Sequence, residues 1–160
     1  MPIAKPLPDT RLVLDTDIFT PLRKKHEYVM REVKSYFSRV KQLPALSSMT
    51  LFEALWGLDK EVKKGEISVE SGQYYQRRID ELCQAHEVLP VNADAARIAA
   101  HIFAGLSRSD RDKHWRDVFI AATALAHGYG IASHNRKDFE LIAQHLPPSH
   151  DTLYLAVWKP

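Results

Sequence analysis

Cysteine is nearly absent from this chain: Cys83 is the only one. No internal disulfide can form, and a zinc site of clustered thiolates is excluded. A reducing cytoplasm is the expected setting. Long apolar runs are missing too, and FIAATALA (119 to 126) is far too short to span a bilayer. The opening MPIAKPLPDT has three prolines and no apolar h-region. That argues against a secretory signal and for a flexible arm over residues 1–10. Charge of one sign is scarce: the net charge is +2 with histidines neutral, too little to argue nucleic-acid binding alone. None of the eight histidines has zinc-like spacing, since HEVLP is not H-E-x-x-H. GYG at 128 to 130 reads as a turn rather than a phosphate loop, and there is no internal repeat.

What is present is ordinary for one globular domain, here residues 11–160. Of 160 residues, 45% are apolar and 26% charged, enough to bury a core without staples. RLVLD (11 to 15) reads as a buried strand. Val29, Val33, Tyr36, Phe37 and Val40 recur at helical spacing over 24–40. PALSS (44 to 48) turns into a short strand, and a helix over 50–62 ends before Gly65. Ser68 caps a helix to Ala85 with Val69, Tyr75, Ile79 and Leu82 inward. EVLPV (87 to 91) is a strand, and Asn92 caps a helix carrying Ala95, Ala99, Ile102, Phe103 and Leu106. A charged loop, RSDRDKHWRD, precedes an apolar helix over 117–127. IASH is a strand, DFELIAQHL a helix, and TLYLAVW (152 to 158) the last strand. Strands alternating with helices predict a three-layer α/β domain around a mainly parallel five-stranded sheet.

Three acids then share one context. Asp15 ends the first strand, Glu53 is placed in the first turn of the second helix, and Asp117 opens the apolar helix. Strand ends and helix starts meet along one rim of such a sheet, where ligands bind. Helix N-termini favour anions, which accounts for any one of these acids without function. All three together are harder to explain that way. Clustered carboxylates repel unless a cation lies between them. Hard oxygen donors suit Mg²⁺ or Mn²⁺.

The stretches LVLDTDIF, SSMTLFEAL and RDVFIAATALAHGYGIASHNRKDFE together resemble PIN-domain ribonucleases, especially VapC-like toxins. The last is the most specific. It is similar to the family patterns D-x-x-IAA-x-A and T-R-N-x-x-D-F, with Ser133 for the usual Thr and His134 for the usual Arg. The resemblance implies that Asp15, Glu53 and Asp117 hold the metal. Asn135 falls on a fourth catalytic position that is Asp in many members, and Asp138 on a helix start. Thr16, Asp17 and Ser133 are expected to support those acids, with Asp17 where Asn is common. Implied too are a Mg²⁺- or Mn²⁺-dependent endoribonuclease, an RNA substrate, a homodimer and a small antitoxin. Arg111, Lys113 and Lys137 are candidate RNA contacts, and Trp115, Tyr74 and Tyr75 candidate stacking or packing residues.

Two rival readings stand beside this one. DTDIF partly fits a haloacid-dehalogenase-like phosphatase with Asp15 as nucleophile, but Phe19 and the lack of any Gly-Asp pair count against it. A PIN-like module with a dead site would bind RNA or protein without cutting.

Overall fold

The computed structural model describes residues 2–160. Its elements are β1 (Ile3–Ala4), β2 (Leu12–Leu14), α1 (Thr16–Arg23), α2 (Glu27–Val40), β3 (Leu46–Ser47), α3 (Ser48–Lys63), α4 (Val69–Ala85), β4 (Val88–Leu89), α5 (Ala93–Gly105), α6 (Arg108–His127), β5 (Gly130–Ser133), α7 (Arg136–Ala143) and β6 (Leu153–Val157). Every strand pairing is parallel. Four strands lie in the order β1-β6-β5-β2, and β3 and β4 form a second pair. Leu14 N donates to Ala45 O and Ala45 N to Leu12 O, each at 2.8 Å, so one bridge joins the pair to β2.

Alternation along the strands makes two cores, one on each face. Leu12 and Leu14 point to the side covered by α1 to α4, with Ile18, Val29, Val33, Tyr36 and Ile79. Val13 and Ile131 point to the other side, with Ile98, Ile102, Ile120, Phe139 and Ile142 from α5, α6 and α7. Small residues let α5 and α6 pack closely: Ala95 and Ala99 on one, Ala121 and Ala124 on the other, all fully buried. Gly128 ends α6 in the left-handed region, φ 76°, where its lack of a Cβ removes the steric penalty. The chain leaves β2 toward β3 on one side and returns to place β5 on the other. That reversal opens a crevice at the carboxyl ends of β2 and β5. No helix among the described residues is long and apolar enough to cross a membrane.

The three-layer α/β architecture matches expectation, with these differences. The sheet has four strands plus the bridged pair rather than five in one. Ile3 and Ala4, within the expected loose arm, pair with Leu153 and Tyr154 as an edge strand, while Met1 lies outside the described residues. Helix α1 was not expected, because Pro21 and its shortness mask the periodicity. The expected charged loop is the first half of α6: Ser107 accepts from Asp110 N at 3.1 Å, and no Gly or Pro interrupts the run to His127. Asp117 therefore sits mid-helix rather than at a helix start. Likewise α3 begins at Ser48, so Glu53 lies in its second turn. Phe37, Val69 and Tyr75, read as inward, are exposed.

Gly130 marks the tightest strand approach. A Cβ there would stand 3.0 Å from Tyr154 O, Tyr154 Cβ and Leu12 Cδ2. Two of these atoms belong to paired backbone or its first carbon and cannot swing away. Gly130→Ala should therefore cost about 1–3 kcal/mol through overpacking. Thermal denaturation would register a drop of several degrees, at roughly 2–4 °C per kcal/mol for a domain of this size. An unchanged melting temperature would show that β5 and β6 part easily.

Candidate active site at the carboxyl edge of the sheet

The crevice is lined with acids held by hydroxyls. Asp15 follows β2 and caps α1, with its Oδ1 accepting from Thr16 N at 2.8 Å. Its Oδ2 accepts from Ser133 Oγ at 2.7 Å, tying the end of β2 to the end of β5. Asp15 is only 5% exposed. Asp17 lies one step into α1; its Oδ2 accepts from His134 N at 3.1 Å and lies 3.2 Å from Ser133 Oγ. Its other oxygen, Oδ1, is buried with no partner among the described residues. His134, in turn, meets the Tyr28 hydroxyl through Nε2.

Glu53 reaches the same place from α3. Thr16 Oγ1 donates to Glu53 Oε1 at 2.9 Å and lies 2.9 Å from Thr50 Oγ1. Ser47 Oγ donates to Thr50 Oγ1 at 3.2 Å. One proton direction satisfies all four groups: Ser47 to Thr50, Thr50 to Thr16, Thr16 to Glu53. The chain of hydroxyls thus aims the carboxylate from behind. Arg116 Nε stands 3.8 Å from Glu53 Oε2 on the outer side.

Helix α6 brings the third group. His114, 5% exposed, is one turn before Asp117. Its Nδ1 stands 3.5 Å from Asp117 Oδ2 and 3.8 Å from Asp138 Oδ2. One ligand atom from each of His114, Asp117 and Asp138 lies within 4.8 Å of the others, a spacing that could hold a metal ion. Asn135 caps α7, accepting from Asp138 N at 3.3 Å and donating through Nδ2 to Asp138 Oδ2 at 2.5 Å. It acts on the cluster through Asp138.

These acids feel one another. Burial, then the charge of Asp17, pushes Asp15 up to about 8; the Ser133 hydrogen bond pulls it back, and Asp117 adds to the rise. Burial, then Asp138, pushes Asp117 up to about 6, against the pull of His114. Burial also raises Glu53, while Thr16 and Arg116 lower it. A cleft of about 450 Å³ between α1, α3 and α4 opens at Thr16 and Glu53, with Arg23 and Lys24 on its wall. A larger hollow of about 520 Å³, between the N-terminal segment and β6, contains none of these acids.

Hydrogen bonds thus join Asp15, Thr16, Asp17, Ser133 and Glu53, while Asp117 acts on Asp15 through charge and has His114 and Asp138, not Asp15 and Glu53, at metal-ligand spacing; Asn135 sits at their edge. Of the three expected cations, Arg111 is occupied, donating to Leu106 O at 2.8 Å, whereas Lys113 and Lys137 are exposed. Sequence reasoning missed His114, Arg116, Ser47 and Thr50 as parts of the site, and set Asp138 aside. The spacing of His114 to Asp117, one helical turn, would have revealed the first had the helix been started at Ser107.

The profile of the PIN domain matches residues 12–144. The chain belongs to the PIN domain family. Among solved structures, its fold is similar to a DNA-bound VapBC from Salmonella typhimurium, at 22% identity and TM-score 0.69, covering 94% of this chain and 99% of that one. VapBC2 from Rickettsia felis, bound to a promoter DNA fragment, matches at 19% identity and TM-score 0.65, covering 92% and 98%. VapBC-5 from Mycobacterium tuberculosis, of a family of toxin–antitoxin systems, matches at 20% identity and TM-score 0.54, covering 92% and 99%. At these identities the likeness is one of fold. Among curated proteins, none matches.

The electrostatics of this PIN domain set a pH dependence. A carboxyl whose folded pKa is raised binds its proton more tightly folded than unfolded. Its stabilising effect is complete below the unfolded value near 4 and is lost as pH rises through the folded value. For Asp15 and Asp117 the window runs from about 4 to about 8. In chelator, melting temperature should fall across that window, and Asp15→Asn should flatten the fall. A parent profile that is flat or rising there would mean that folding does not raise the pKa of these acids.

Proposed function

We propose that this PIN domain is a metal-dependent endoribonuclease, the toxin of a toxin–antitoxin pair acting in the cytoplasm. The observation that carries the reading is the convergence of Asp15, Glu53 and Asp117 from three elements onto one crevice. A helix N-terminus explains neither Glu53, in a second turn, nor Asp117, in mid-helix. Asp15 and Asp117, pushed up by burial and then by neighbouring acids, call for a cation.

The donors fit a hard divalent ion, Mg²⁺ or Mn²⁺. They are mostly carboxylate oxygens, and Asp17 Oδ1 is left buried without a partner among the described residues. Asp15, Glu53 and Asp117 would hold the ion, with Asp138 and His114 beside them. When bound, such an ion supplies a Lewis acid that lowers the pKa of water toward neutrality and offsets charge on the phosphate. The chain's own residues do the positioning. Ser133 and Thr16 fix the rotamers of Asp15 and Glu53, and Asn135 holds Asp138 by the helix-capping pair. Being uncharged, Asn135 leaves any second cation more weakly held than the first. In-line attack of water on the phosphodiester would leave a 5′-phosphate and a 3′-hydroxyl. Single-stranded or looped RNA suits the crevice, because its bases are free to splay. Lys113 and Lys137 would meet flanking phosphates.

The likeness to VapBC-5, of a family of toxin–antitoxin systems, supports an antitoxin as partner, and a homodimer is the working form that this reading expects. PIN family membership leaves the phosphatase reading without support. A dead binding module would not need its acids in place, and Mn²⁺ titration separates it from an enzyme.

Purified protein should cut RNA with Mg²⁺ or Mn²⁺ and stop in chelator; undiminished cleavage in excess chelator would refute the proposal. Asp117→Asn should melt at or above the parent temperature without metal, since repulsion is relieved, and gain less from added Mn²⁺. Its cleavage rate should fall more than about 100-fold, the upper end for a merely supporting residue at a metal site. A variant that melts far lower would make Asp117 a structural residue. Lys113→Ala with Lys137→Ala should weaken RNA binding and reduce the salt slope by about 1.4, the release expected from two single-strand phosphates. An unchanged slope would make both lysines solvated surface.

A further inference from the structure

One surface beside the acids has no role in the reading above. Phe52 and Trp56 are one turn apart on α3, and they are 48% and 46% exposed. Their rings stack at 6.0 Å with 16° between planes. Trp115, from α6, leans on Phe52 at 6.5 Å and completes a shelf of three aromatic side chains. Cations are interleaved with it. The Arg116 guanidinium lies 4.7 Å from the Trp115 ring centroid and 5.4 Å from that of Trp56, and Lys60 Nζ lies 5.0 Å from the latter. Arg116 Nε is buried without a hydrogen bond among the described residues and faces Glu53 Oε2 at 3.8 Å. The ring packing therefore holds one guanidinium at the lip of the crevice, between the shelf and the acids.

We propose that this shelf is a nucleotide subsite for a single RNA strand entering the crevice. An unstacked base lies against Trp56 and Phe52, and Arg116 takes the phosphate that follows it. The inference rests on the phosphodiesterase reading for the path of the strand. The charge pattern chooses this occupant: half-exposed rings between cations suit a polyanion with flat bases, since every base offers a π-face and Arg adds to the stack. Arg116 also offsets the negative potential of Glu53 where an anionic backbone must pass. A duplex keeps its bases stacked on one another and cannot use the shelf.

The test uses the full-length protein in excess chelator, so that nothing is cut, with a ten-nucleotide single-stranded oligoribonucleotide. Binding is read by anisotropy of the end-labelled strand and by quenching of tryptophan emission. Trp56→Leu should weaken binding about tenfold and remove most of the quench. Trp56→Phe keeps a ring and should bind within about threefold of the parent, at the weak end of base stacking. Arg116→Gln should weaken binding and reduce the salt slope by about 0.7, one single-strand phosphate. A blunt RNA duplex should bind the parent and Trp56→Leu alike. Melting curves identify any variant that misfolds, and Phe52→Leu then takes its place. Unchanged single-strand affinity in a folded Trp56→Leu overturns the proposal. So does the same result accompanied by loss of a dimer on sedimentation, which would assign the face to a second copy of the chain. If the parent cuts no RNA with either metal while the Trp56 effect holds, the nuclease reading fails and the subsite stands. Cleavage with no Trp56 effect is the reverse.

Discussion

Asp15 and Ser133 meet where the chain reverses direction across its sheet. The hydroxyl at the end of β5 donates to the carboxylate after β2 at 2.7 Å, in a place almost closed to water. The backbone ladder sets the strand separation, with Asp15 N donating to Ala132 O at 2.9 Å, and the hydroxyl supplies a donor without which this buried carboxylate would be very costly. Much else is hung from the pair. Asn135 N donates to the same Ser133 hydroxyl at 2.9 Å, and Thr16 N to the same Asp15 carboxylate, so α7 and α1 both start from this pair. The crevice is a consequence of the reversal; the β2–β5 ladder sets its register, and the pair fixes the carboxylate at its floor.

Repulsion among acids is the opposing constraint. Asp15 and Asp117 are pushed up by burial and by their neighbours, which means that the folded chain stores part of its electrostatic strain at this edge. Three devices offset it: the hydroxyl relay onto Glu53, the imidazole of His114 between Asp117 and Asp138, and the guanidinium of Arg116 outside Glu53. All are directional and none neutralises the whole cluster. The site is left short of positive charge, which is the feature that the proposed metal would answer.

Helix α6 couples this site to the core. Its second half is buried among α5 and the sheet through Val118, Ile120, Ala121 and Ala124, while its first half turns His114 inward to the acids and carries Trp115 and Arg116 beside the crevice. Because one rigid rod spans both, the packing of small residues far from the acids fixes where Asp117 and Arg116 stand. Exposed Trp56 and Phe52 on α3 are placed by the same logic, their helix being anchored through Leu55 and Leu58 beneath.

Much of this was decided by local sequence. Apolar runs such as LVL and IAS, bounded by turn residues, read as buried strands, the alternation of strands with helices favours a parallel three-layer arrangement, and acids at strand ends then share one rim. Asp15 was legible for that reason; Glu53 and Asp117, in a second turn and in mid-helix, were legible through the motifs SSMTLFEAL and RDVFIAATALAHG. What local pattern could not decide was where a charged segment is helical. RSDRDKHW has no apolar stripe, so only the Ser107 cap and the pull of the buried half make it the start of α6. That hid His114 and Arg116 and misplaced Asp117 at a helix start. Edge strand β1 escaped for a similar cause: two residues carry no periodicity, and only pairing with Leu153 and Tyr154 makes them a strand. The relay through Ser47, Thr50 and Thr16 and the role of Asp138 depend on distances between elements far apart in sequence. Side-chain type determines which residues can hydrogen-bond or ligate, but only tertiary packing sets them a few ångströms apart.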